Sequence, residues 1–225
     1  MTQQAKLVAT HVPRDPVGAV LLLHGGASRR ASMLVSPTQL SVLRMIPIAS
    51  RVEHLGGDRL AVYRLLNSTR GWNRNHTPVD DATWAMTEIA GRFGAELPIS
   101  LIGHSLGGRA ALMAAGAPAV RSAVALNPWV YLTDGELDLT GRRILIVHGT
   151  QDRIASPANS ATVARQLART ADVRYLRIGG GKHAMLSHHT RFETLAAQFA
   201  VTTLTGDEPT TPLDEIRAGE EWLEL

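Results

Sequence analysis

The sequence predicts an α/β protein built on a mostly parallel sheet. Short apolar runs alternate along the chain with segments of helical spacing, which is the pattern of parallel strands joined by helices. At 225 residues the chain suits one domain and can cover both faces of such a sheet. Its 44% hydrophobic and 19% charged residues are proportions typical of a globular protein.

Each element is predicted from its local pattern. Apolar runs predict strands over 17–24, 59–65, 99–104, 119–127, 143–148 and 173–178. Helical spacing covers 39–55, 79–93, 106–115, 157–170 and 188–203. Pro47 should kink or split the first helix, whereas Pro157 suits the first turn of the fourth.

We expect a single domain over residues 1–204 and an acidic tail over 205–225. From residue 207 onward the tail holds seven acidic residues and one arginine, although the whole chain carries a net charge of +3. The arginines of the basic body are scattered and not interleaved with aromatic residues. Nucleic acid is therefore not an expected partner.

Several other classes of protein are excluded by composition. The chain has no cysteine, which rules out disulfides, a thiol nucleophile and thiolate metal ligands. No apolar stretch has the length of a membrane span, and no signal-peptide pattern stands near the first residue. We expect a cytoplasmic protein that does not bind membranes.

The most informative segment is residues 99–115. An apolar strand breaks at a Gly-His-Ser-Leu-Gly sequence centred on Ser105 and continues directly into a strong helix-forming run. Glycines on both sides of a serine suit a strand-to-helix turn too tight for other side chains, and such a turn projects the hydroxyl. This geometry suits a nucleophile.

A serine hydroxyl needs a neighbouring base, usually an imidazole oriented by a carboxylate. Asp152 follows the strand at 143–148 in a His-Gly-Thr-Gln-Asp run, and His183 follows the last strand after a Gly-Gly-Gly-Lys turn. Together with the turn at Ser105, these motifs resemble the α/β-hydrolase superfamily, in which serine, acid and histidine occur in this chain order.

The resemblance covers residues 15–203 and implies the α/β-hydrolase fold, in a small member similar to esterases and dienelactone hydrolases. It implies six to seven mostly parallel strands with helices on both faces, and at most one short strand before the run at 17–24. Residues 128–141 leave no room for a cap domain.

The resemblance also assigns roles. Ser105 would be the nucleophile, His183 the base and Asp152 the acid, with no cofactor required. The backbone N–H groups of Leu106 and Gly26 would form the oxyanion hole. Ala27 is the alternative to Gly26, since only a backbone donor is needed.

Simpler interpretations remain open for this triad. The serine could be a helix N-cap and the aspartate a turn or cap residue. Asp134, after the preceding strand, is the rival acid, and His188 or His189 could replace the base.

The remaining candidates lie near the predicted site. Three histidines at strand ends are expected to support loops: His24, His104 and His148. No histidine pair has metal-ligand spacing with a carboxylate on one helical face, so no metal is expected.

Two tryptophans are candidates for substrate binding. Trp72 and Trp129 could each line an acyl pocket or cover the top of the sheet. Arg70 and Arg109 could bind an anionic substrate group or pair with carboxylates of the protein.

The sequence therefore predicts a serine hydrolase that cleaves a small carboxylic ester through an acyl-enzyme. An acyl thioesterase with the same triad is one alternative. A non-enzymatic binding module on a hydrolase fold is the other.

Overall fold

The computed structural model describes residues 4–26, 34–72, 76–207 and 223–224. One sheet of eight strands has the order β1-β3-β2-β4-β5-β6-β7-β8. The strands are β1 (Lys6–His11), β2 (Gly18–Leu23), β3 (Leu60–Leu66), β4 (Ile99–His104), β5 (Val120–Leu126), β6 (Arg143–Gly149), β7 (Asp172–Ile178) and β8 (Leu223–Glu224). β1 pairs antiparallel with β3, and all other pairs are parallel.

Helices cover both faces of the sheet, as predicted. They are α1 (Leu40–Leu43), α2 (Met45–Gly56), α3 (Thr77–Phe93), α4 (Leu106–Ala114), α5 (Pro157–Leu167) and α6 (His189–Thr205). One core cluster packs α3, α4 and α5 against one face, and the other packs α2 and α6 against the opposite face. The fold class read from the alternation of patterns is confirmed.

The first predicted helix is divided in two. The break lies at Arg44, and Pro47 sits in the first turn of α2. Proline is tolerated there because the first N–H groups of a helix have no partner within it, so the missing donor costs little. The division is therefore displaced from Pro47 by a few residues.

The seven longer strands agree with the predicted number, and β1 is the one strand before β2. β8 was not predicted: its two residues lie within the segment expected to be an acidic tail, where they pair with Leu176 and Arg177 of β7. The division into a domain over 1–204 and a tail over 205–225 stays a prediction.

The parallel strands bring their carboxyl ends to one edge of the sheet. After β5, the segment 128–141 contains only a 3₁₀ turn at Leu132–Glu136, so it holds no cap domain. Among the described residues, no helix combines the length and apolar character needed to cross a bilayer.

Candidate active site

Ser105 occupies the sharp turn between β4 and α4. Its backbone has φ 57° and ψ −119°, a region that residues with a side chain rarely adopt. Such strain persists only where the surrounding structure enforces it, and here the flanking strand and helix are both buried. The sequence motif and the observed backbone thus agree.

The glycines beside Ser105 are required by close backbone approaches. A Cβ at Gly103 would collide with the carbonyl oxygen of Gly107, and a Cβ at Gly107 would collide with that of Leu23 at the end of β2. The turn is therefore pressed against both its own helix and the neighbouring strand.

The structure brings the predicted serine, base and acid into one hydrogen-bonded chain. Ser105 Oγ lies 2.9 Å from His183 Nε2, to which its O–H can donate. His183 Nδ1–H donates to Asp152 Oδ2 at 2.7 Å. The Asp152 carboxylate is fully buried, and the His183 side chain is 14% exposed.

The rival residues have other partners. Asp134 forms a two-pronged ion pair with Arg109, whose Nε and Nη2 lie 2.7 and 2.9 Å from its carboxylate oxygens. His189 Nδ1 lies 3.2 Å from Glu193 Oε1. His188 serves as the residue before α6. None of these three side chains takes part in the hydrogen bonds that connect Ser105, His183 and Asp152.

Asp152 is held as a carboxylate by several donors. Burial alone would raise its pKa, but the side chains of His148 and His183 and the backbone N–H groups of Ile154 and Ala155 outweigh burial, and its pKa lies below the ordinary value. An ionised Asp152 is the form that orients a histidine and stabilises its imidazolium.

Two residues that the sequence did not assign to catalysis hold the His183 loop. Asn127 Nδ2 donates to the carbonyl oxygens of Lys182 and His183, both at 3.1 Å, while its Oδ1 accepts from Gly149 N–H. His104 Nε2–H donates to the His183 carbonyl at 2.9 Å. The Asn-Pro sequence after β5 indicates a turn. No local sequence pattern predicts that the asparagine bonds to a loop 55 residues further along the chain.

His104 is uncharged in this arrangement. Burial, aided by its neighbour His183, lowers the pKa of His104 to about 3. A neutral His104 fits its place beside the base, since the two rings lie 5.1 Å apart and a second cation there would oppose protonation of His183.

The candidate oxyanion donors lie next to the serine. Leu106 is the first residue of α4, so its N–H has no partner within the helix. A Cβ at Gly25 would be 3.3 Å from Ser105 Cβ, and one at Gly26 would be 3.5 Å from Leu106 Cδ1. Ala27, the alternative donor, lies outside the described residues. The Gly-Gly turn after β2 therefore lies beside the turn that carries Ser105.

His24 and the loop after β3 fix this turn. His24 Nδ1–H donates to Gly25 O at 2.6 Å, and His24 Nε2 accepts from Asn67 N–H at 3.1 Å. A Cβ at Gly26 would collide with the carbonyl oxygen of Arg70. Only glycine fits at this position, for steric reasons.

Solved structures with this arrangement of strands and helices are numerous. Est1E from Butyrivibrio proteoclasticus matches at 14% identity and TM-score 0.62, covering 89% of this chain and 93% of its own. An α/β serine hydrolase homologue from Coxiella burnetii matches at 16% identity and TM-score 0.66, covering 87% and 91%. The chain has the α/β-hydrolase fold.

A lid-less α/β serine hydrolase from Xanthomonas campestris shares this fold at 17% identity and TM-score 0.61, covering 91% of this chain and 89% of that chain. No protein-family model matches the sequence, and no curated protein is similar to it in sequence. The similarity to individual known proteins therefore rests on structure.

The two tryptophans lie differently on the hydrolase fold. Trp72 packs against the core cluster beneath α3 and α4, with its ring 4.4 Å from the Arg109 guanidinium carbon. Trp129 is half-buried beside the turn at Ser105, and its backbone N–H donates to the Ser105 carbonyl at 3.2 Å. Arg109 pairs with a carboxylate of the protein. Substrate contacts by the two tryptophans stay a prediction.

Proposed function

We propose that this protein is a serine hydrolase that cleaves a carboxylic ester through an acyl-enzyme. The observation that carries the proposal is the continuous chain of hydrogen bonds from Ser105 through His183 to Asp152, built on a strained strand-to-helix turn. A serine that only capped a helix would need neither the positive φ nor an imidazole bonded to a buried carboxylate.

The geometry supports a two-step acyl transfer. Ser105 Oγ attacks the ester carbonyl carbon while His183 Nε2 takes its proton. The bond to the leaving oxygen breaks, and His183 returns the proton to that oxygen, leaving an acyl-serine. Water then attacks the acyl carbon while His183 takes its proton; the bond to Ser105 Oγ breaks, His183 returns the proton to Oγ, and the carboxylic acid is released.

The negative charge of each tetrahedral intermediate requires aligned donors. The N–H groups of Leu106 and Gly26 are suited to this role by their position beside Ser105. One such donor typically contributes about 3–4 kcal/mol to transition-state stabilisation. Trp129, which lies next to the turn at Ser105, would contact the acyl group. No cofactor takes part in these steps.

Ester cleavage is tested by turnover of p-nitrophenyl esters of increasing acyl length. We expect Ser105→Ala to lower kcat by about 10⁶-fold and Asp152→Asn by about 10⁴-fold. Ser187→Ala, an exposed serine in the same loop as His183, is the matched control and should retain wild-type rates. Equal activity of wild type and Ser105→Ala would refute the mechanism.

A thioester substrate is the second candidate, favoured by one feature of the surface. A cleft of about 390 Å³ borders His183 and is also lined by the exposed cations Arg153 and Lys182. Because His183 would protonate the leaving group, that group would lie near these charges. A thiol leaving group that carries phosphates, as coenzyme A does, would be attracted to them.

Coenzyme A and N-acetylcysteamine thioesters of one acyl group separate the two candidates. Both release a thiol, but only the former bears phosphates. A marked preference for the coenzyme A thioester, lost in Arg153→Gln, would favour the thioesterase. Equal rates for the two thioesters, both below those of the oxygen ester, would favour the esterase.

A further inference from the structure

His148 is a second histidine directed at the same carboxylate as His183. It stands at the end of β6, four residues before Asp152, and its side chain is fully buried. Its Nε2 lies 3.2 Å from Asp152 Oδ2, within ion-pair distance but not aligned as a hydrogen bond, and it has no hydrogen-bond partner elsewhere in the described part of the chain. The Asp152 carboxylate is therefore the nearest acceptor for the Nε2 atom of His148.

The Asp152 carboxylate has a place for this donor. Oδ1 accepts the backbone N–H groups of Ile154 at 2.8 Å and Ala155 at 2.9 Å, and Oδ2 accepts His183 Nδ1–H. Each oxygen can accept two hydrogen bonds, and the side chain is closed to solvent. A buried anion is stable only when its oxygens are satisfied, so a second donor on Oδ2 is favourable.

The other nitrogen of His148, Nδ1, faces two buried hydroxyl groups. Its Nδ1 lies 2.7 Å from Ser160 Oγ, which is also 2.9 Å from the carbonyl oxygen of Pro157. Tyr175 OH donates to that carbonyl at 3.0 Å. Because tyrosine also donates to this carbonyl, the Ser160 hydroxyl can turn to Nδ1 instead, which is compatible with a His148 proton on Nε2.

The opposite tautomer is unfavourable. A proton on Nδ1 would turn the Nε2 lone pair toward the Asp152 carboxylate across 3.2 Å, placing two electron pairs against each other. The carboxylate therefore favours the tautomer with its proton on Nε2, and the Ser160 hydroxyl can donate to the Nδ1 that this tautomer leaves free.

We propose that His148 is a positioning residue that holds Asp152 Oδ2 as a second neighbour beside His183 and shares its negative charge. The proposal rests on the proposed function, because Asp152 must orient the base for the effect to reach catalysis. With His148 in place, rotation of the carboxylate away from His183 would also separate a buried imidazole nitrogen from its nearest acceptor. His148 also draws charge from Oδ2 and so moderates the basicity of His183.

Glutamine and asparagine at position 148 provide matched variants. The amide nitrogen of glutamine reaches the place of Nε2, whereas that of asparagine reaches only the place of Nδ1. His148→Gln should keep kcat within about threefold of wild type, and His148→Asn should lose about tenfold or more, the range expected for one hydrogen bond to a charged group, with little change in KM.

The pH profile of kcat/KM distinguishes positioning from a merely structural role. Its acidic limb reports deprotonation of the base. In His148→Asn the charge on Asp152 is no longer shared, so the limb should move to higher pH, while His148→Gln keeps the wild-type profile. The ionisable groups beside His183 are Asp152 and His104, and those beside His148 are Asp152 and Tyr175. These groups are the same in both variants.

Each outcome decides the question. Both variants are first compared by thermal unfolding; if neither folds, the tautomer of His148 is read in the wild-type protein from its ¹⁵N chemical shifts and should show a proton on Nε2. Equal kcat and equal profiles for glutamine and asparagine, or in the other case a His148 proton on Nδ1 alone, would overturn the proposal. Labelling of wild-type Ser105 by a fluorophosphonate shows separately whether the triad itself is active.

Discussion

At Ser105 the chain accepts an unfavourable backbone conformation to present one hydroxyl. The φ of 57° is maintained because glycines at 103 and 107 let β4, α4 and β2 approach without side chains between them. Any methyl group at these two positions would meet backbone atoms, which cannot rotate away. The strain at the serine is thus enforced by its neighbours.

Gly107→Ala should lower the free energy of unfolding by about 3 kcal/mol or more, since overpacking against rigid backbone has no cheap relaxation. Gly91→Ala is the matched control in α3, where an added methyl meets no atom within 4 Å. Alanine there should raise stability by about 0.5–1 kcal/mol through helix propensity. Urea denaturation measures both, and equal effects would contradict the steric account.

The burial of His104 predicts how the stability of the fold changes in acid. Because its folded pKa is about 3 and an unfolded histidine titrates near 6.5, the unfolded chain binds more protons between these values. Stability should therefore fall as pH drops through this window, by about 1.4 kcal/mol per pH unit from this group.

His104→Gln keeps a donor toward the His183 carbonyl but cannot be protonated. Its free energy of unfolding, measured by denaturant titration from pH 7 to pH 4, should therefore depend less steeply on pH than that of wild type. An unchanged slope would mean that another group causes the acid sensitivity.

Between elements, Arg109 joins parts of the structure that are far apart in sequence. Its guanidinium extends from α4, lies over the rings of Trp72 and Tyr131, and is bonded through two nitrogens to Asp134 in the 3₁₀ turn after β5. The loop after β3, which approaches Gly26 through the Arg70 carbonyl, is thereby fixed to the helix that begins at the nucleophile.

Removing this arginine should be costly. Arg109→Ala leaves Asp134 buried without its cation, and breaking such a pair typically costs about 3–5 kcal/mol. Arg109→Lys should lie between it and wild type, because lysine can neither form two parallel bonds nor stack as a planar group.

The exposed pair of Arg59 with Asp207, at 2.7 Å, provides the control, and Arg59→Ala should leave the unfolding midpoint unchanged. Thermal unfolding of the three variants measures the difference. If Arg109→Ala had the same unfolding midpoint as wild type, the loops would be held by other contacts.

For the whole molecule, the sequence was most informative where function depends on short local patterns. The strands and the loops bearing Ser105, Asp152 and His183 could be predicted because each loop directly follows a buried apolar run. The contacts of Asn127 and the direction of His148 could not be predicted, since both depend on side chains brought together by the parallel order of the strands.

Other features were ambiguous in sequence for equally physical reasons. The sequence allowed Trp72 either in a pocket or in the core, and its stacking on Arg109 could not be read from it. β8 has only two residues, which is too short for any periodic pattern. The acyl and leaving groups depend on loop shape, which one sequence does not specify.

The most direct test of the central claim is labelling with a fluorophosphonate probe followed by peptide mass spectrometry. Wild type, Ser105→Ala and His183→Ala are compared after thermal unfolding has shown that each is folded. The triad predicts stoichiometric modification of Ser105 in wild type and loss of labelling in both variants. A folded wild-type protein that is not labelled, or is labelled equally in His183→Ala, would contradict an activated serine at this site.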